Sequence, residues 1–128
     1  MEISVGMKGE ASTLVEREDT ALEVGSGSLL VYATPCLAAL MEGAACSAIE
    51  AALAEDTTTV GTELNLRHTA ATPVGLEVRA EAEVTQVDGK VICFAIRAFD
   101  EKGEIGSAEH TRVLVHSQRF LDKAYQKL

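Results

Sequence analysis

Three side chains of this sequence combine types and positions that could support acid–base or nucleophilic chemistry: Thr34, Glu42 and His68. Glu42 lies in a run, residues 35–49, that is otherwise apolar or glycine apart from Ser47. Burying a carboxylate without partners is costly or raises its pKa, and the helical neighbours of Glu42 cannot pair with it. We therefore expect either a partner from elsewhere in the fold or a carboxylate that reaches solvent at a helix edge.

A long helix is predicted over residues 33–55, because Ala, Leu, Met and Glu are strong helix formers. Pro35 suits the first helical position, and Thr34 before it suits the N-cap. Twenty residues give a helix of roughly 30 Å, and one that is apolar on nearly all faces is buried. Glu42 near its middle argues against a membrane span. Thr34 and Glu42 are separated by about 80° around the axis, so both can line one side.

His68 ends a predicted strand, residues 58–68, that follows the helix. Alternate residues of a strand share one face, which here carries Thr58, Val60, Thr62, Leu64, Leu66 and His68. A lone histidine on an apolar face is more often a satisfied core residue than a catalyst. Beside the helix that carries Glu42, however, a buried imidazole and a buried carboxylate would satisfy each other and shift both pKa values.

Length, charge and cysteine content limit the classes of protein that fit. The 128 residues form one predicted domain, 1–128, and the net charge of −9 argues against nucleic acid and anionic membranes as partners. Three cysteines without metal-ligand spacing indicate reduced thiols, and residues 1–10 lack the apolar segment of a signal peptide, so we expect a cytoplasmic protein. The three histidines share no short ligand spacing, so no metal is expected.

The remaining elements predict an α+β fold, in which a strand and one long helix precede an antiparallel meander. The first strand candidate is 6–15, followed by loops at 16–19 and 25–28. Asp88-Gly89 is a strong hairpin signal, and 100–103 is a second tight turn. Residues 90–99 are apolar on both faces, which indicates a central strand. Residues 117–128 predict a short amphipathic helix with Phe120, Leu121 and Ala124 directed inward.

The sequence resembles the fluoroacetyl-CoA thioesterase family of hotdog-fold proteins from about Gly6 to the C-terminus. The matching segments are Ala33-Thr34 with Leu40-Met41-Glu42, then Gly61, HTAATPVGLEV from His68 to Val78, and Glu104 to Ser107 with His110 and Arg112. This resemblance implies a hotdog fold, an antiparallel sheet wrapped around one central helix. It also implies a homodimer or a dimer of dimers in which two subunits build each site, because a single curved sheet leaves its edge exposed.

The resemblance implies an acyl-CoA thioesterase that hydrolyses a short-chain acyl-CoA to the free acid and CoA. Its catalytic set would be Thr34, Glu42 and His68, with no cofactor beyond the CoA of the substrate. Glu42 would attack the thioester or act as general base on water. Gly61 would add a backbone N–H near the reacting carbonyl or water, and Arg112 would lie near the site or the coenzyme.

The sequence departs from the family pattern around the acyl group. Ser28 occupies the position of an aromatic gate, and Gly43 replaces a tryptophan that follows the glutamate. Pro35 also follows the threonine. These smaller side chains predict a more open acyl pocket, so that selectivity for the fluoroacetyl group does not follow from the resemblance.

Three alternatives compete with this interpretation. Cys36 in the first helical turn could be a nucleophile, although a packed thiol is the more ordinary role. A hotdog hydratase would use an aspartate–histidine pair on another segment, which the sequence lacks. A non-catalytic acyl-CoA-binding or sensor module would bind the same ligand without releasing thiol. His110 and His116 are interpreted as partly exposed or packed residues.

Overall fold

A computed structural model describes residues 2–128, and its framework is an antiparallel sheet. The strands are β1 (Lys8–Leu14), β2 (Thr57–His68), β3 (Glu77–Asp88), β4 (Val91–Asp100) and β5 (Gly103–His116). Their spatial order is β1-β3-β4-β5-β2, so β4 is central, as predicted, and β1 and β2 form the edges. The α+β prediction is confirmed.

The helices are α1 (Ala21–Val24), α2 (Thr34–Ile49) and α3 (Ser117–Tyr125), with 3₁₀ turns at Arg17–Asp19 and Glu50–Ala52. The predicted central helix was too long, since α2 ends at Ile49 and tightens into the second 3₁₀ turn. Thr34 is also not the N-cap: Ala33 takes that position without a side-chain hydrogen bond. Thr34 is therefore the first residue of α2, and its hydroxyl is not used in capping.

One face of α2 packs on the sheet, because the sheet covers the helix from one side only. The buried residues recur at helical spacing and are Leu37, Met41, Ala44, Ala45 and Ile49. Pro35, Ala39, Gly43 and Ser47 are exposed on another face, so burial on nearly all faces is wrong for a single chain. Residues 34–52 are long and apolar enough to cross a membrane by length and composition alone, a test that the core helices of soluble proteins also pass.

Alternation along β3 and β4 supplies most of the buried apolar side chains on the inner face of the sheet. The inward residues are Val78, Ala80, Ala82 and Val84 on β3, and Ile92, Phe94, Ile96 and Ala98 on β4. The alternation predicted for β3 is confirmed. The other face of β4 carries Val91, Ala95 and Arg97, which are exposed. The prediction that β4 is apolar and buried on both faces is therefore wrong for a single chain.

A β-bulge at Thr62 divides β2 into two halves of opposite parity. Gly61 pairs with Arg112 whereas Glu63 pairs with Thr111, which leaves Thr62 as the extra residue. Thr59 is consequently buried and Thr58 is exposed, opposite to the prediction, while Leu64, Leu66 and His68 keep the predicted face. The bulge brings Gly61 onto the inward face, where its backbone meets α2.

The turns and the C-terminal helix complete the chain. The first hairpin loop is Gly89-Lys90, one residue later than predicted, because Asp88 pairs with Val91. The second is Glu101-Lys102, and Asp100 Oδ1 accepts hydrogen bonds from the amides of Lys102 and Gly103. Helix α3 forms as predicted, but Phe120, Leu121 and Ala124 are exposed rather than inward in the single chain.

Candidate active site

Thr34 and His68 meet where the start of α2 passes the end of β2. Thr34 Oγ1 lies 2.8 Å from His68 Nδ1, a hydrogen bond whose donor depends on the histidine tautomer. The contact forms because Ala33, not Thr34, is the N-cap, so the threonine hydroxyl is free to turn toward the strand. Two of the three predicted catalytic residues are therefore in direct contact within one chain.

Gly106 allows this end of β2 to approach the helix. It pairs with His68 across the β5–β2 ladder. A Cβ at this position would lie 2.6 Å from the carbonyl oxygen of Arg67 and 3.3 Å from Leu37 Cδ2, so a larger residue would push β2 and α2 apart. Beyond His68, the amides of Thr69 and Ala70 both donate to the carbonyl of Ile105, which fixes where the strand ends.

The surroundings of His68 favour the neutral imidazole. Burial lowers its pKa below the ordinary value, and the nearby backbone of Ala70 opposes this shift. Nε2 of His68 is buried and has no hydrogen-bond partner within residues 2–128. The imidazole thus retains an unused polar atom beside Thr34.

The Thr34–His68 pair borders an open cleft of about 280 Å³. Its other walls come from the α1 region and the segment after β2, and are Ala21, Ser26, Val31, Tyr32, Thr69, Ala70 and Ala71. Backbone hydrogen bonds hold these walls together, since the Tyr32 amide donates to the Thr72 carbonyl. The buried Thr72 hydroxyl in turn donates to Asp100 Oδ2 at 2.8 Å.

Glu42 belongs to a second cluster, and its partners lie on β5. Arg112 Nη1 donates to Glu42 Oε2 at 3.0 Å, and His110 Nε2 is 3.6 Å from the same oxygen. The Glu42 side chain is 41% exposed whereas the Arg112 side chain is only 9% exposed. The partner expected from elsewhere in the fold is present, but within one chain it is Arg112 and not His68.

Arg112 is held in a fixed orientation by β2. Its Nε donates to Thr59 Oγ1 at 2.8 Å and its Nη2 donates to the Thr59 carbonyl at 3.0 Å. With Nη1 directed at Glu42, the guanidinium is committed on all three nitrogens. Arg112 therefore lies at the site and is not free to bind the phosphates of a coenzyme.

His110 is 2% exposed, so of the two predicted alternatives, partly exposed or packed, it is packed. Its Nδ1 lies 2.8 Å from the Glu63 carbonyl, an atom that can only accept, so the proton is on Nδ1. Burial lowers the pKa of His110. The Glu63 hydrogen bond opposes this, the charge of Arg112 adds to it, and the charge of Glu42 opposes it. We therefore treat the 3.6 Å contact with Glu42 as one of a neutral imidazole and not as an ion pair.

Gly61 is required by the carboxylate of Glu42. A Cβ built on Gly61 would collide with Glu42 Oε2, and would also lie 3.1 Å from Arg112 Nη1 and 3.2 Å from His110 Cε1. Gly61, for which the resemblance implies a backbone N–H near the reacting group, thus borders the Glu42 carboxylate directly. Its position on the inward face depends on the bulge at Thr62.

The two clusters are well separated within one chain. Eight residues separate Thr34 from Glu42, or about 12 Å along the helix axis. Seven residues separate Gly61 from His68, or roughly 20 Å along β2. One thioester carbon cannot contact both clusters of the same chain, so the structure brings together Thr34 with His68 and Glu42 with Gly61 and Arg112, but not these two sets.

The remaining predicted residues lie elsewhere. Ser28 is exposed in the loop after α1, and Gly43 is exposed on α2, where an added Cβ would be 3.8 Å from Ala11 Cβ. Cys36 is half-buried, and burial, aided by the charge of Asp19, raises the pKa of its thiol, which argues against a thiolate nucleophile. No group of three or more His, Cys, Asp or Glu within residues 2–128 has the geometry to hold a metal.

Sequence reasoning missed His110 and Thr59 as members of the Glu42 cluster. The sequence contains one signal for His110, since it shares strand parity with Arg112 two residues later. No comparable signal exists for Thr59, because the bulge at Thr62 reverses the parity of its half of β2.

Known proteins with similar sequences and folds identify the family. The model of the family described as "Fluoroacetyl-CoA-specific thioesterase" matches residues 15–118. A fluoroacetyl-CoA thioesterase of Streptantibioticus cattleyicolor is 38% identical over 97 residues, which are 76% of this chain and 70% of that protein. A mutant of the fluoroacetyl-CoA-specific thioesterase FlK, solved as a crystal structure, has a TM-score of 0.93 and 30% identity, covering 100% of this chain and 99% of that one.

More distant structures share the fold. A thioesterase superfamily member from Thermus thermophilus has a TM-score of 0.85 at 25% identity, with 98% of each chain covered. A hot-dog-like protein from Thermanaerovibrio acidaminovorans has a TM-score of 0.87 at 19% identity, covering 98% of this chain and 93% of that one. The predicted hotdog fold is confirmed.

Proposed function

Because this chain belongs to the family of fluoroacetyl-CoA-specific thioesterases, we propose that it hydrolyses short-chain acyl-CoA thioesters to the free acid and CoA. The observation that carries this proposal is the hydrogen bond between Thr34 and His68 beside an open cleft. A hydroxyl and a neutral imidazole at the start of a helix can bind and polarise a thioester carbonyl.

Glu42 supplies the base or the nucleophile. Arg112 holds Oε2, and Oε1 has no hydrogen-bond partner within residues 2–128. As general base, Oε1 removes a proton from water while the water oxygen forms the bond to the thioester carbon. The carbon–sulfur bond then breaks, and the thiolate of CoA leaves and takes up a proton. As nucleophile, Oε1 bonds to the same carbon and the carbon–sulfur bond breaks, which releases the thiolate of CoA; water then cleaves the anhydride to the free acid and the Glu42 carboxylate.

Thr34 and His68 act on the oxygen of the thioester. In one tautomer His68 Nδ1–H donates to Thr34 Oγ1, which leaves the threonine O–H to donate to the developing oxyanion. In the other, Thr34 donates to Nδ1, and the proton of the ring is on Nε2, which is buried within the chain. Both tautomers are neutral, in keeping with the lowered pKa of His68.

Each site needs two subunits, in which Thr34 and His68 of one protomer face Glu42 of the partner subunit. Support comes from the separation of the two clusters in one chain and from the 12-residue edge strand β2, which pairs only with β5. A long unpaired edge strand is a surface on which a second copy can continue the sheet. The exposed face of α2 would be covered in the same assembly.

An antiparallel pairing of the two β2 edges gives this arrangement a register. With the twofold axis at Asn65, which then faces its own copy, His68 lies three residues beyond the axis and Gly61 lies four residues before it, one of which is the extra bulge residue Thr62. His68 would therefore be opposite Gly61 of the partner subunit, to within the one-residue bulge at Thr62. Because Gly61 borders the Glu42 carboxylate, the same register brings the carboxylate to the imidazole.

The acyl group of the substrate is small. Solved structures of the fluoroacetyl-CoA thioesterase FlK contain acetyl-CoA or fluoroacetate, at 31% and 30% identity to this chain. Ser28 and Gly43, in place of larger side chains, would leave more room for acyl groups beyond two carbons. The three free cysteines fit a reducing cytoplasmic location.

Release of free thiol from a panel of acyl-CoAs tests the proposal. Wild-type protein is expected to release thiol, and Glu42→Gln or His68→Ala is expected to abolish turnover while the circular dichroism spectrum is retained. Near-normal rates in both variants would contradict the assigned residues. Tight binding of acyl-CoA without any thiol release would instead indicate the acyl-CoA-binding or sensor module.

A further inference from the structure

Four hydrogen bonds fix the guanidinium of Arg112, and three of them go to residues outside the predicted catalytic set, two to Thr59 and one to His110. Nε of Arg112 donates to Thr59 Oγ1 and Nη2 donates to the Thr59 carbonyl, while one N–H of Nη1 donates to Glu42 Oε2. Nη1 also lies 3.1 Å from His110 Nε2, to which its second N–H is directed. Since Nη1 is shared between Glu42 and His110, the position of the imidazole affects the direction in which Arg112 holds the carboxylate.

The protein backbone determines which nitrogen of His110 carries the proton. The Glu63 carbonyl accepts from Nδ1, so Nε2 of the neutral ring is bare and accepts from Arg112. Glu63 directly follows the bulge residue Thr62, which directs this carbonyl at the imidazole. The bulge thereby fixes both the tautomer of His110 and the approach of Gly61 to Glu42.

We propose that His110 is a positioning residue for thioester hydrolysis: its neutral Nε2 fixes Arg112 Nη1, so that Arg112 restrains Oε2 of Glu42 and leaves Oε1 for the reaction. This inference rests on the proposed function of Glu42. Arg112 is accordingly a part of the carboxylate site and not of the coenzyme site.

A proton on His110 would reverse this arrangement. Nε2–H could no longer accept from Arg112, and the imidazolium would repel the guanidinium 3.1 Å away while attracting Glu42 Oε2. The groups facing the ring are Arg112 from β5, Glu42 from α2, the Glu63 carbonyl from β2 and the uncharged Phe94 from β4, with ring centres 5.9 Å apart. Arg112 and Glu42 are the only charged groups among these contacts, and a second cation beside Glu42 would make its carboxylate a weaker base.

Three variants separate positioning from packing. His110→Phe keeps a ring against Phe94 but removes both nitrogens. His110→Gln can present an amide oxygen near the Nε2 position to accept from Arg112, and this oxygen does not titrate. His116→Gln is the matched control, because His116 lies at the far end of the same strand and caps α3, where it accepts from the Arg119 amide.

The experiment measures kcat and KM from pH 5 to 9 for the dimeric enzyme and each variant. We expect kcat to fall by about 10²-fold in His110→Phe with little change in KM, because a small displacement of a reacting group has an effect of that size. His110→Gln should recover at least a tenth of the wild-type kcat and should shift the acidic limb of the profile to lower pH. A folded His110→Phe variant with wild-type kcat would overturn the proposal, as would identical acidic limbs for wild type and His110→Gln.

A measurement without substrate keeps this test distinct from that of the proposed function. Nitrogen-15 NMR of the histidines should show His110 neutral with the proton on Nδ1 at pH 7. A charged ring or a proton on Nε2 would overturn the proposal even in an active enzyme. A wild-type protein that releases no thiol from any acyl-CoA would instead contradict the proposed function.

Discussion

The hydroxyl oxygen of Thr34 lies 2.8 Å from Nδ1 of His68, which joins the first residue of α2 to the last residue of β2. Glu42 is on the same helix, about 12 Å from Thr34 along the axis of α2. Its carboxylate is bound by Arg112 and not by His68. In the proposed function these two clusters are the halves of a thioesterase site.

Mixing two inactive variants should restore activity. In a hybrid dimer of Glu42→Gln and His68→Ala, one of the two shared sites has an intact Thr34–His68 pair and an intact Glu42. After subunit exchange of an equal mixture, half of the dimers are hybrids, so we expect about a quarter of the wild-type specific activity. The measurement is thiol release before and after exchange. No recovery in mixtures shown to contain hybrids would place each site within one chain.

Replacement of Gly61 by alanine should impair catalysis more than stability. The new methyl group would collide with Glu42 Oε2, which Arg112 holds in place. Displacing the carboxylate by about 1 Å should reduce kcat by roughly 10²-fold. Gly43→Ala is the control for folding, because its methyl group would meet only Ala11 Cβ at 3.8 Å and should stabilise the helix by roughly 0.5–1 kcal/mol in urea unfolding. An unchanged kcat in Gly61→Ala would show that the carboxylate can move without loss.

Stability should decrease as the pH falls below about 6.5. Burial lowers the pKa of both His68 and His110 from the ordinary value of 6.5, so the unfolded chain binds more protons than the folded chain in this range. Their contribution is complete above pH 6.5 and is lost as the pH falls toward the folded-state pKa values. Thermal unfolding between pH 8 and 5 should show the Tm of the wild type falling relative to the Tm of His110→Gln as the pH decreases. A difference that is constant with pH would contradict the shift.

Acyl groups longer than acetyl should be accepted. Each methylene that the pocket buries contributes about 0.8 kcal/mol, so kcat/KM should be maintained or rise through the first additions from acetyl-CoA. Ser28→Phe and Gly43→Trp restore large side chains and should narrow the range toward two carbons. Steady-state kinetics over acyl-CoAs of increasing length provides the comparison. A sharp two-carbon preference of the unmodified enzyme would exclude the open pocket.

Cys36 should not be needed for turnover. Its thiol pKa is raised by burial and by Asp19, so little thiolate is present at neutral pH. Cys36→Ala is expected to keep kcat within about threefold of wild type, and the rate of iodoacetamide reaction should not parallel the loss of activity. If iodoacetamide inactivated the wild type but not Cys36→Ala, the Cys36 thiol would again be a candidate catalytic group.

The sequence by itself determined the fold and the residue types of the site. Hydrophobic alternation and helix propensity are local properties, so the order of elements, the central position of β4 and the buried alternation of β3 were predictable. The resemblance around Glu42 and the His68 segment predicted the family, and the comparisons confirm it. The assignment of Thr34, Glu42 and His68 as the catalytic set stays a prediction.

Tertiary structure decided which residues are partners. The bulge at Thr62 reverses the parity of half of β2, brings Gly61 to Glu42 and buries Thr59 beneath Arg112. A bulge depends on how two strands pair across fifty residues of chain, and no periodicity within one strand encodes it. For the same reason no pattern within one strand predicts that Arg112 and His110 of β5, rather than His68, are the neighbours of Glu42.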